Sequence, residues 1–416
     1  MFYERSVTPS GVTVITEHMP GFRSTALGVW VAAGSRDELP GEAGVSHFVE
    51  HMMFKGTKTR TAAEISESFD RLGARFNAGT DKEFTTYYCQ VIDQHAAEAF
   101  SILADMMSHS LMEEAAVLSE REVVLEEISR SEDQPDDMVH DLFAQTLLSG
   151  HPIGRPVLGT KQAVGAFMPA GVFAYTARRY GGGDVVVAAA GNVDHAALVA
   201  QVERELIVPK GDRGDRGETG ATVVPRFEII TKDTEQAHIC WGCAGLRSRD
   251  PERFAMGVMD TILGGGMSSR LFQEIREKRG LAYSVGSYHA QYLDTGQYTV
   301  YAGTRPDNAE QVVQLIKSEV ARFLDGGVTP DELFRAKESM KGSLVLGMES
   351  TSARMSRLGK SEVTHGELLT LDEIIERIDA VEKADVARVA AATLAGPRVL
   401  AMVAPFEKDA VAHLLD

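Results

Sequence analysis

The sequence predicts an α+β protein of two homologous domains, each with a mainly antiparallel or mixed sheet packed with helices. Segments with strand-like patterns come in adjacent pairs, and long helical runs separate the pairs, which favours layered α+β structure over regular βαβ winding. Residues 29–37 and 240–247 open the two halves alike, each as a strand ending in Ala-Gly before a polar loop and a helix. A duplicated unit explains this likeness.

The boundary between the halves is marked by composition. Residues 208–225 carry glycines among charged residues, which is typical of a linker. The sequence therefore predicts an N-terminal domain over 1–209, a glycine-rich linker over 210–225 and a C-terminal domain over 226–416.

Period-two and helical patterns give the elements in chain order. In the first half, strands are expected near 11–17, 25–33, 74–80, 83–91 and 184–190, and helices near 43–55, 62–72, 94–108, 113–130, 135–148, 169–179 and 194–207. In the second half, strands are expected near 226–231, 236–244, 283–291, 295–303 and 398–403, and helices near 251–263, 268–278, 307–325, 330–349, 352–361, 371–379 and 383–393.

The bulk composition excludes several classes of protein. A net charge of −18 argues against nucleic-acid binding, which needs a basic surface. No apolar run is long enough to span a bilayer, and no secretory h-region follows the first residues. The three cysteines cannot form a disulfide framework, and Cys240 and Cys243 are expected to be small buried residues on opposite strand faces. This cysteine content fits a reducing compartment.

The motif His47-Phe48-Val49-Glu50-His51 is the strongest indication of chemistry. Residues four apart share one face of a helix, so His47 and His51 can direct both imidazoles at one zinc ion. Glu50 lies at the edge of that face and can act as a general base without binding the metal. The alternative is a pair of solvated histidines on a surface helix.

A third metal ligand should come from another element. The predicted helix 113–130 places Glu120 and Glu127 seven residues apart, hence on one face. Two carboxylates at this spacing can serve as a ligand and as a group that orients a ligand. The same helix carries further acids, so a solvated acidic face is the competing interpretation.

These residues together resemble the M16 metallopeptidases, which include pitrilysin, insulin-degrading enzyme and the mitochondrial processing peptidase. The resemblance rests on His47-x-x-Glu50-His51 followed by Glu127, with Glu120 seven residues before it, and extends over nearly the whole chain. It implies that His47, His51 and Glu127 bind one zinc ion per chain and that Glu120 supports them.

A second similarity lies in the other half of the chain. Arg276 and Tyr283 are similar to the family's C-terminal Arg/Tyr pair, which contacts substrate near the scissile carbonyl. A Tyr hydroxyl can donate to a developing oxyanion, and Arg can anchor a carbonyl. Taken alone, the pair would be a strand aromatic and a surface arginine.

The stretch Asn77-Ala78-Gly79-Thr80 resembles the family's edge strand. An exposed edge can bind an extended peptide through main-chain hydrogen bonds, although an ordinary hairpin has the same pattern. Residues 264–269, with three consecutive glycines, lack the Gly-Lys-Ser/Thr of a phosphate loop and are interpreted as a flexible connector.

The resemblance implies a zinc-dependent endopeptidase that hydrolyses short or unfolded peptides inside a dimeric chamber. Because the chain carries both the metal motif and the Arg/Tyr pair, a homodimer with two composite sites is the leading expectation. The alternatives are a specific presequence-processing peptidase in a heterodimer with an M16-like partner, and a non-catalytic structural subunit like the core proteins of respiratory complex III. We expect no nucleic-acid or membrane partner. The resemblance implies a cytoplasmic bacterial protein, with a mature protein of an organellar matrix as the alternative.

Overall fold

The computed structural model describes residues 2–415. The strands are β1 (Glu4–Val7), β2 (Thr13–His18), β3 (Ser24–Val31), β4 (Arg75–Thr80), β5 (Thr85–Ile92), β6 (Val185–Gly191), β7 (Arg226–Thr231), β8 (Ala237–Ala244), β9 (Ala282–Gln291), β10 (Gly296–Thr304) and β11 (Arg398–Ala404).

The α-helices are α1 (Val45–Met52), α2 (Ala62–Arg71), α3 (Ala96–His109), α4 (Glu114–Glu132), α5 (Pro135–Leu147), α6 (Lys161–Val164), α7 (Pro169–Arg179), α8 (His195–Glu205), α9 (Arg253–Leu263), α10 (Ala309–Gly326), α11 (Pro330–Gly347), α12 (Thr351–Thr364), α13 (Leu371–Asp379), α14 (Lys383–Thr393) and α15 (Lys408–Val411). A π-helix covers Phe272–Glu277, and short 3-10 helices cover Ser35–Asp37, Asp93–His95, Pro152–Gly154, Gly182–Asp184, Pro306–Asn308 and Ala412–Leu415.

The chain forms two compact units. Unit 1 contains residues up to 128 together with 156–217 and 347–368, and unit 2 contains 129–155, 218–346 and the residues from 369 onward. The sheet of unit 1 has the order β1-β2-β6-β3-β5-β4, in which only the β2–β6 pair is parallel. The sheet of unit 2 has the order β7-β11-β8-β10-β9, in which only the β11–β7 pair is parallel. The predicted α+β class with mixed sheets is confirmed.

Each sheet has helices on both faces. In unit 1 the larger core includes side chains of α1, α3, α4 and α8, and the opposite sheet face packs against α12. In unit 2 the larger core includes side chains of α9, α10 and α14, and the opposite face packs against α5. Two-sided burial of a sheet requires apolar residues at successive positions, which agrees with the fully buried β6.

The units differ from the division expected from sequence in two segments. The segment 129–155, with α5, belongs to unit 2, and the segment 347–368, with α12, belongs to unit 1. Each covers a sheet face that would otherwise leave apolar side chains in water, such as Trp30 in unit 1, which is 3% exposed. The predicted linker, 210–225, is divided between the two units near residue 217.

The expected strands and long helices are present, with bounds shifted by a few residues at most element ends. Much of the expected helix 268–278 is instead the π-helix, and the short β1, α6 and α15 were not expected. Cys240 and Cys243 are buried in different cores on opposite faces of β8, which confirms the expectation for them. Among residues 2–415, no helix is long and apolar enough to cross a membrane.

Candidate metal centre

The helix α1 carries the histidine motif and begins at an unusual cap. Gly44, its N-cap residue, has φ +93°, and a Cβ there would lie 2.6 Å from the carbonyl oxygen of Leu158. The buried carboxylate of Glu38 accepts hydrogen bonds from the backbone N–H groups of Gly44 and Ser46, both at 3.0 Å. A carboxylate from outside the helix therefore satisfies two buried backbone N–H groups at the N-terminus of α1 and complements the dipole of the helix.

The two histidines of α1 direct the same ring atom to the same point. His47 and His51 are one helical turn apart, and their Nε2 atoms are 3.2 Å from each other. His47 is 7% exposed, and the side chain of His51 is 22% exposed. The structure therefore places both imidazoles as their spacing predicts.

Glu127 of α4 completes a triangle of ligand atoms. Its Oε2 lies 3.7 Å from the Nε2 atoms of both His47 and His51. Tetrahedral zinc ligands at about 2.0–2.2 Å from the ion are about 3.3–3.6 Å apart, so the triangle has nearly the size that zinc requires. Within residues 2–415, these three residues are the one group of histidine, cysteine and acidic side chains close enough to hold a metal ion. The donor set therefore fits zinc and leaves a fourth position for water or substrate.

Glu120 and Lys55 hold His51 in its orientation. Glu120 Oε1 lies 2.8 Å from His51 Nδ1, and the Lys55 Nζ lies 2.5 Å from the other oxygen, Oε2. With Nδ1–H donating to the carboxylate, Nε2 of His51 is free of its proton and faces the metal position. Burial would raise the pKa of Glu120, but its hydrogen bonds to His51 and Lys55 outweigh burial and lower that pKa.

The two histidines have opposite proton affinities. Burial, together with the charge of His51, lowers the pKa of His47 to about 4, so this imidazole is neutral at physiological pH. Burial also lowers the pKa of His51, but the hydrogen bond and charge of Glu120 and the charges of Glu127 and Glu50 outweigh it and raise the pKa overall. His47 is thus ready to bind a metal, whereas His51 binds a proton more tightly than a free imidazole does, so protons compete with the metal at His51.

Glu50 is held by a residue of the edge strand. The Thr80 hydroxyl donates a hydrogen bond of 2.6 Å to Glu50 Oε2. Burial raises the pKa of Glu50, and the bond from Thr80 and the charge of His51 oppose that rise. A half-buried carboxylate with a raised pKa next to a metal position is suited to accept and return a proton.

The residues Asn77 to Thr80 lie in β4, which is an edge strand of the sheet in unit 1. Asn77 is exposed, and its side-chain oxygen accepts a hydrogen bond from the N–H of Ala78. Ala78 pairs with Tyr87 of β5 on the inner side of the strand. The outer edge has no neighbouring strand in the sheet order of the described chain, as a peptide-binding edge requires.

Arg276 and Tyr283 lie together in unit 2. Arg276, near the end of the π-helix, stacks on the Tyr283 ring at 4.4 Å, and its Nη1 donates to the Tyr283 carbonyl at 2.7 Å. Tyr283 is the second residue of the edge strand β9 and is 79% exposed. The structure thus joins the two residues and leaves the tyrosine ring accessible, while the metal cluster is in unit 1.

Two contributions to the centre are missing from the sequence prediction. Lys55 follows His51 by four residues, so helical spacing could have placed it near the metal face, although α1 ends at Met52 and a turn continues to Lys55. The bond from Thr80 to Glu50 spans thirty positions, and no local pattern reports it.

Models of known protein families match both halves of the chain. The model described as insulinase (peptidase family M16) matches residues 13–161, which contain His47, His51 and Glu127. The model described as the peptidase M16 inactive domain matches residues 171–340, which contain Arg276 and Tyr283.

Curated relatives and a solved structure match this chain over nearly its full length. The chain is 42% identical to an uncharacterized zinc protease of Streptomyces coelicolor, over 99% of this chain and 92% of that protein. It is also 42% identical to the uncharacterized zinc protease YmxG of Bacillus subtilis, over 97% of this chain and 98% of that protein. The fold resembles the crystal structure of a peptidase M16 inactive domain from Pseudomonas fluorescens, with a TM-score of 0.91, 22% identity and coverage of 98% and 99%. From these matches and the metal centre, the chain belongs to the M16 family of metallopeptidases.

Proposed function

We propose that this chain is a zinc-dependent endopeptidase that hydrolyses short or unfolded peptides. The observation that carries the proposal is the convergence of His47 Nε2, His51 Nε2 and Glu127 Oε2. The half-buried base Glu50 directly precedes His51 on α1. Three protein ligands with an open fourth position are typical of catalytic zinc sites, whereas structural sites use four protein ligands. The zinc-protease names of the relatives support the same metal.

His47, His51 and Glu127 would hold the zinc ion. When bound, zinc would supply Lewis-acid activation of water and of the scissile carbonyl. Glu50 accepts the proton of the attacking water and delivers it to the leaving amine, and its raised pKa suits both transfers. Glu120 keeps the imidazole of His51 in one orientation throughout.

The edge strand β4 is the proposed binding site for substrate. Its residues from Asn77 to Thr80 end beside Glu50, so a peptide added to this edge would run past the base. Main-chain pairing of this kind requires an extended peptide and is largely independent of side-chain sequence. The substrate class is therefore short or unfolded peptides rather than folded domains.

Tyr283 and Arg276 are proposed to act on the substrate carbonyl. The exposed Tyr283 hydroxyl can donate to a developing oxyanion, and the stacked guanidinium of Arg276 holds the ring and adds positive charge. We propose that two copies of the chain form a homodimer in which the pair of one copy completes the metal centre of the other. The proposal is supported by the presence of both parts in one sequence.

The experiment is hydrolysis of a quenched library of unfolded peptides by the wild type and Glu50→Gln, with the zinc content measured for both. We expect cleavage by the wild type, about one zinc per chain in both proteins, and a loss of about 10²–10⁴-fold in kcat for the variant. Glu122→Gln is the matched control, because Glu122 is an exposed acid of α4.

Other outcomes identify the alternatives. A wild type that binds zinc but cleaves nothing would point to a missing partner chain, as in a presequence-processing heterodimer. A wild type that neither binds zinc nor cleaves would contradict the proposal and favour a structural subunit.

A further inference from the structure

The hydrogen bond between Thr80 and Glu50 joins the two parts of the proposed site. Thr80 Oγ1 donates to Glu50 Oε2 at 2.6 Å, which is the length of a charge-assisted O–H···O⁻ bond. Such bonds are shorter and about twice as strong as bonds between neutral groups. The donor belongs to the edge strand β4, and the acceptor belongs to the helix that carries His47 and His51.

The position of Thr80 is fixed by its surroundings. Its register partner on β5 is Thr85, whose hydroxyl donates 2.9 Å to the carbonyl of Ala33. The turn after Thr80 is closed by the bond from the Asp81 N–H to the Phe84 carbonyl, at 2.8 Å. A β-branched side chain on a paired strand has few rotamers, so the hydroxyl is held in one place.

Glu50 has no comparable restraint from its own helix. It lies two residues from the end of α1, and a glutamate side chain has three rotatable bonds. A general base must stay within hydrogen-bond reach of the proton it takes, and a displacement of about 1 Å can cost about 100-fold in rate. A single strong donor on one carboxylate oxygen fixes the carboxylate and leaves the second oxygen able to accept a proton.

We propose that Thr80 is a positioning residue for Glu50, so that the strand which binds the peptide also orients the base. This inference rests on the proposed peptidase function. In this role the side chain of Thr80 binds Glu50, and the backbone of Thr80 remains for the substrate. Binding and chemistry are thereby coupled, because a peptide on β4 aligns with a strand that already holds the carboxylate.

Kinetics of three variants test this role. Thr80→Val removes the donor at nearly constant shape, Thr80→Ser restores it, and Thr86→Val is the control. Thr86 lies on the neighbouring strand β5, and its hydroxyl has no hydrogen-bond partner among residues 2–415. We expect Thr80→Val to lower kcat by about 10–100-fold with KM changed by less than about threefold. Thr80→Ser should recover most of kcat, and Thr86→Val should match the wild type.

A rise in KM with kcat unchanged in Thr80→Val would overturn the proposal, because it would show that the side chain acts in substrate binding. Equal losses in Thr80→Ser and Thr80→Val would also overturn it, since the serine keeps the donor.

Crystal structures of the wild type and Thr80→Val give a measurement that does not depend on activity. We expect the Glu50 carboxylate to be ordered in the wild type and to occupy other rotamers in the variant, while His47 and His51 stay in place. If the wild type cleaves no peptide, the proposed function fails, and these structures alone decide the positioning role. A Glu50 carboxylate in the same place in both proteins would overturn it.

Discussion

His51 Nδ1 and Glu120 Oε1 are 2.8 Å apart, and this contact determines which nitrogen of His51 faces the metal position. Glu120 is 3% exposed, and its second oxygen is bound by Lys55. A buried carboxylate with both oxygens engaged cannot readily reorient, so it fixes the tautomer and the angle of the ring.

Removal of Glu120 should therefore weaken zinc binding. We expect Glu120→Ala to reduce zinc affinity by about 10–100-fold, because His51 loses the acceptor that keeps its proton on Nδ1. Competition with a chromophoric chelator measures the affinity. The control is Glu122→Ala, an exposed acid of the same helix, and an equal loss in both variants would show a general effect of charge on α4.

Zinc binding should depend on pH with the slope of one proton. The pKa of His51 is raised above its ordinary value of 6.5, so zinc must displace a proton below that raised pKa. The pKa of His47 is about 4, so His47 is neutral over this range. We expect zinc affinity to fall about tenfold for each unit of pH between about 6.5 and 5. Chelator competition over this range measures the slope, and a hundredfold fall per unit would show that both histidines are protonated.

The same two pKa values give opposite contributions to the stability of the metal-free protein. Because the folded-state pKa of His47 lies below 6.5, its contribution is present above pH 6.5 and is lost as pH falls towards 4. Because the folded-state pKa of His51 is raised, the stabilising contribution of His51 is present below pH 6.5 and is lost as pH rises through that folded-state pKa. Between pH 8 and 5, we expect the free energy of unfolding to fall less in His47→Asn than in the wild type, and to fall more in His51→Asn. Urea unfolding from pH 5 to 8 measures both changes.

Two inactive variants should restore activity when they are mixed. We expect Glu50→Gln and Tyr283→Phe each to lose about 100-fold or more in kcat, because one lacks the base and the other lacks an oxyanion donor. In a freely exchanging homodimer, half of the dimers are mixed and each has one intact composite site, so about a quarter of wild-type activity should return. Mixed dimers must be shown by affinity tags, and their presence without activity would contradict completion in trans.

Two glycine substitutions should change stability in opposite directions. Gly359 of α12 packs on Trp30, and a Cβ at this glycine would lie 2.4 Å from Trp30 Cε3. We expect Gly359→Ala to lower the free energy of unfolding by about 1–3 kcal/mol through overpacking. Gly342 of α11 has no atom within 4 Å of the corresponding Cβ, so Gly342→Ala should raise it by about 0.5–1 kcal/mol. Denaturant unfolding of both variants measures the two changes.

Much of the secondary structure could be predicted because its signal is local. The stripe of Val312, Ile316 and Val320 on α10 is fully or almost fully buried, as helical periodicity predicts. The π-helix at Phe272–Glu277 could not be distinguished from an α-helix, because the two share nearly the same apolar spacing over so short a segment.

The assignment of helices to sheets could not be read from the sequence. The apolar faces of α5 and α12 show that each helix is covered, but not by which sheet. Chain order suggested the first half for α5 and the second for α12, and the structure has the reverse. Apolar burial is non-directional, so the apolar pattern of a helix does not specify which sheet will cover it.

The sequence by itself determined the element order, the α+β class and the candidate ligands, since helical spacing brings His47 and His51 to one face. The tertiary structure decided how Glu127 meets them, how Lys55 holds Glu120, and that Thr80 binds Glu50. These contacts join residues on separate elements, where a shift of about 1 Å separates a hydrogen bond from none. Periodicity specifies which face a residue occupies, and only packing specifies the distance across which it acts.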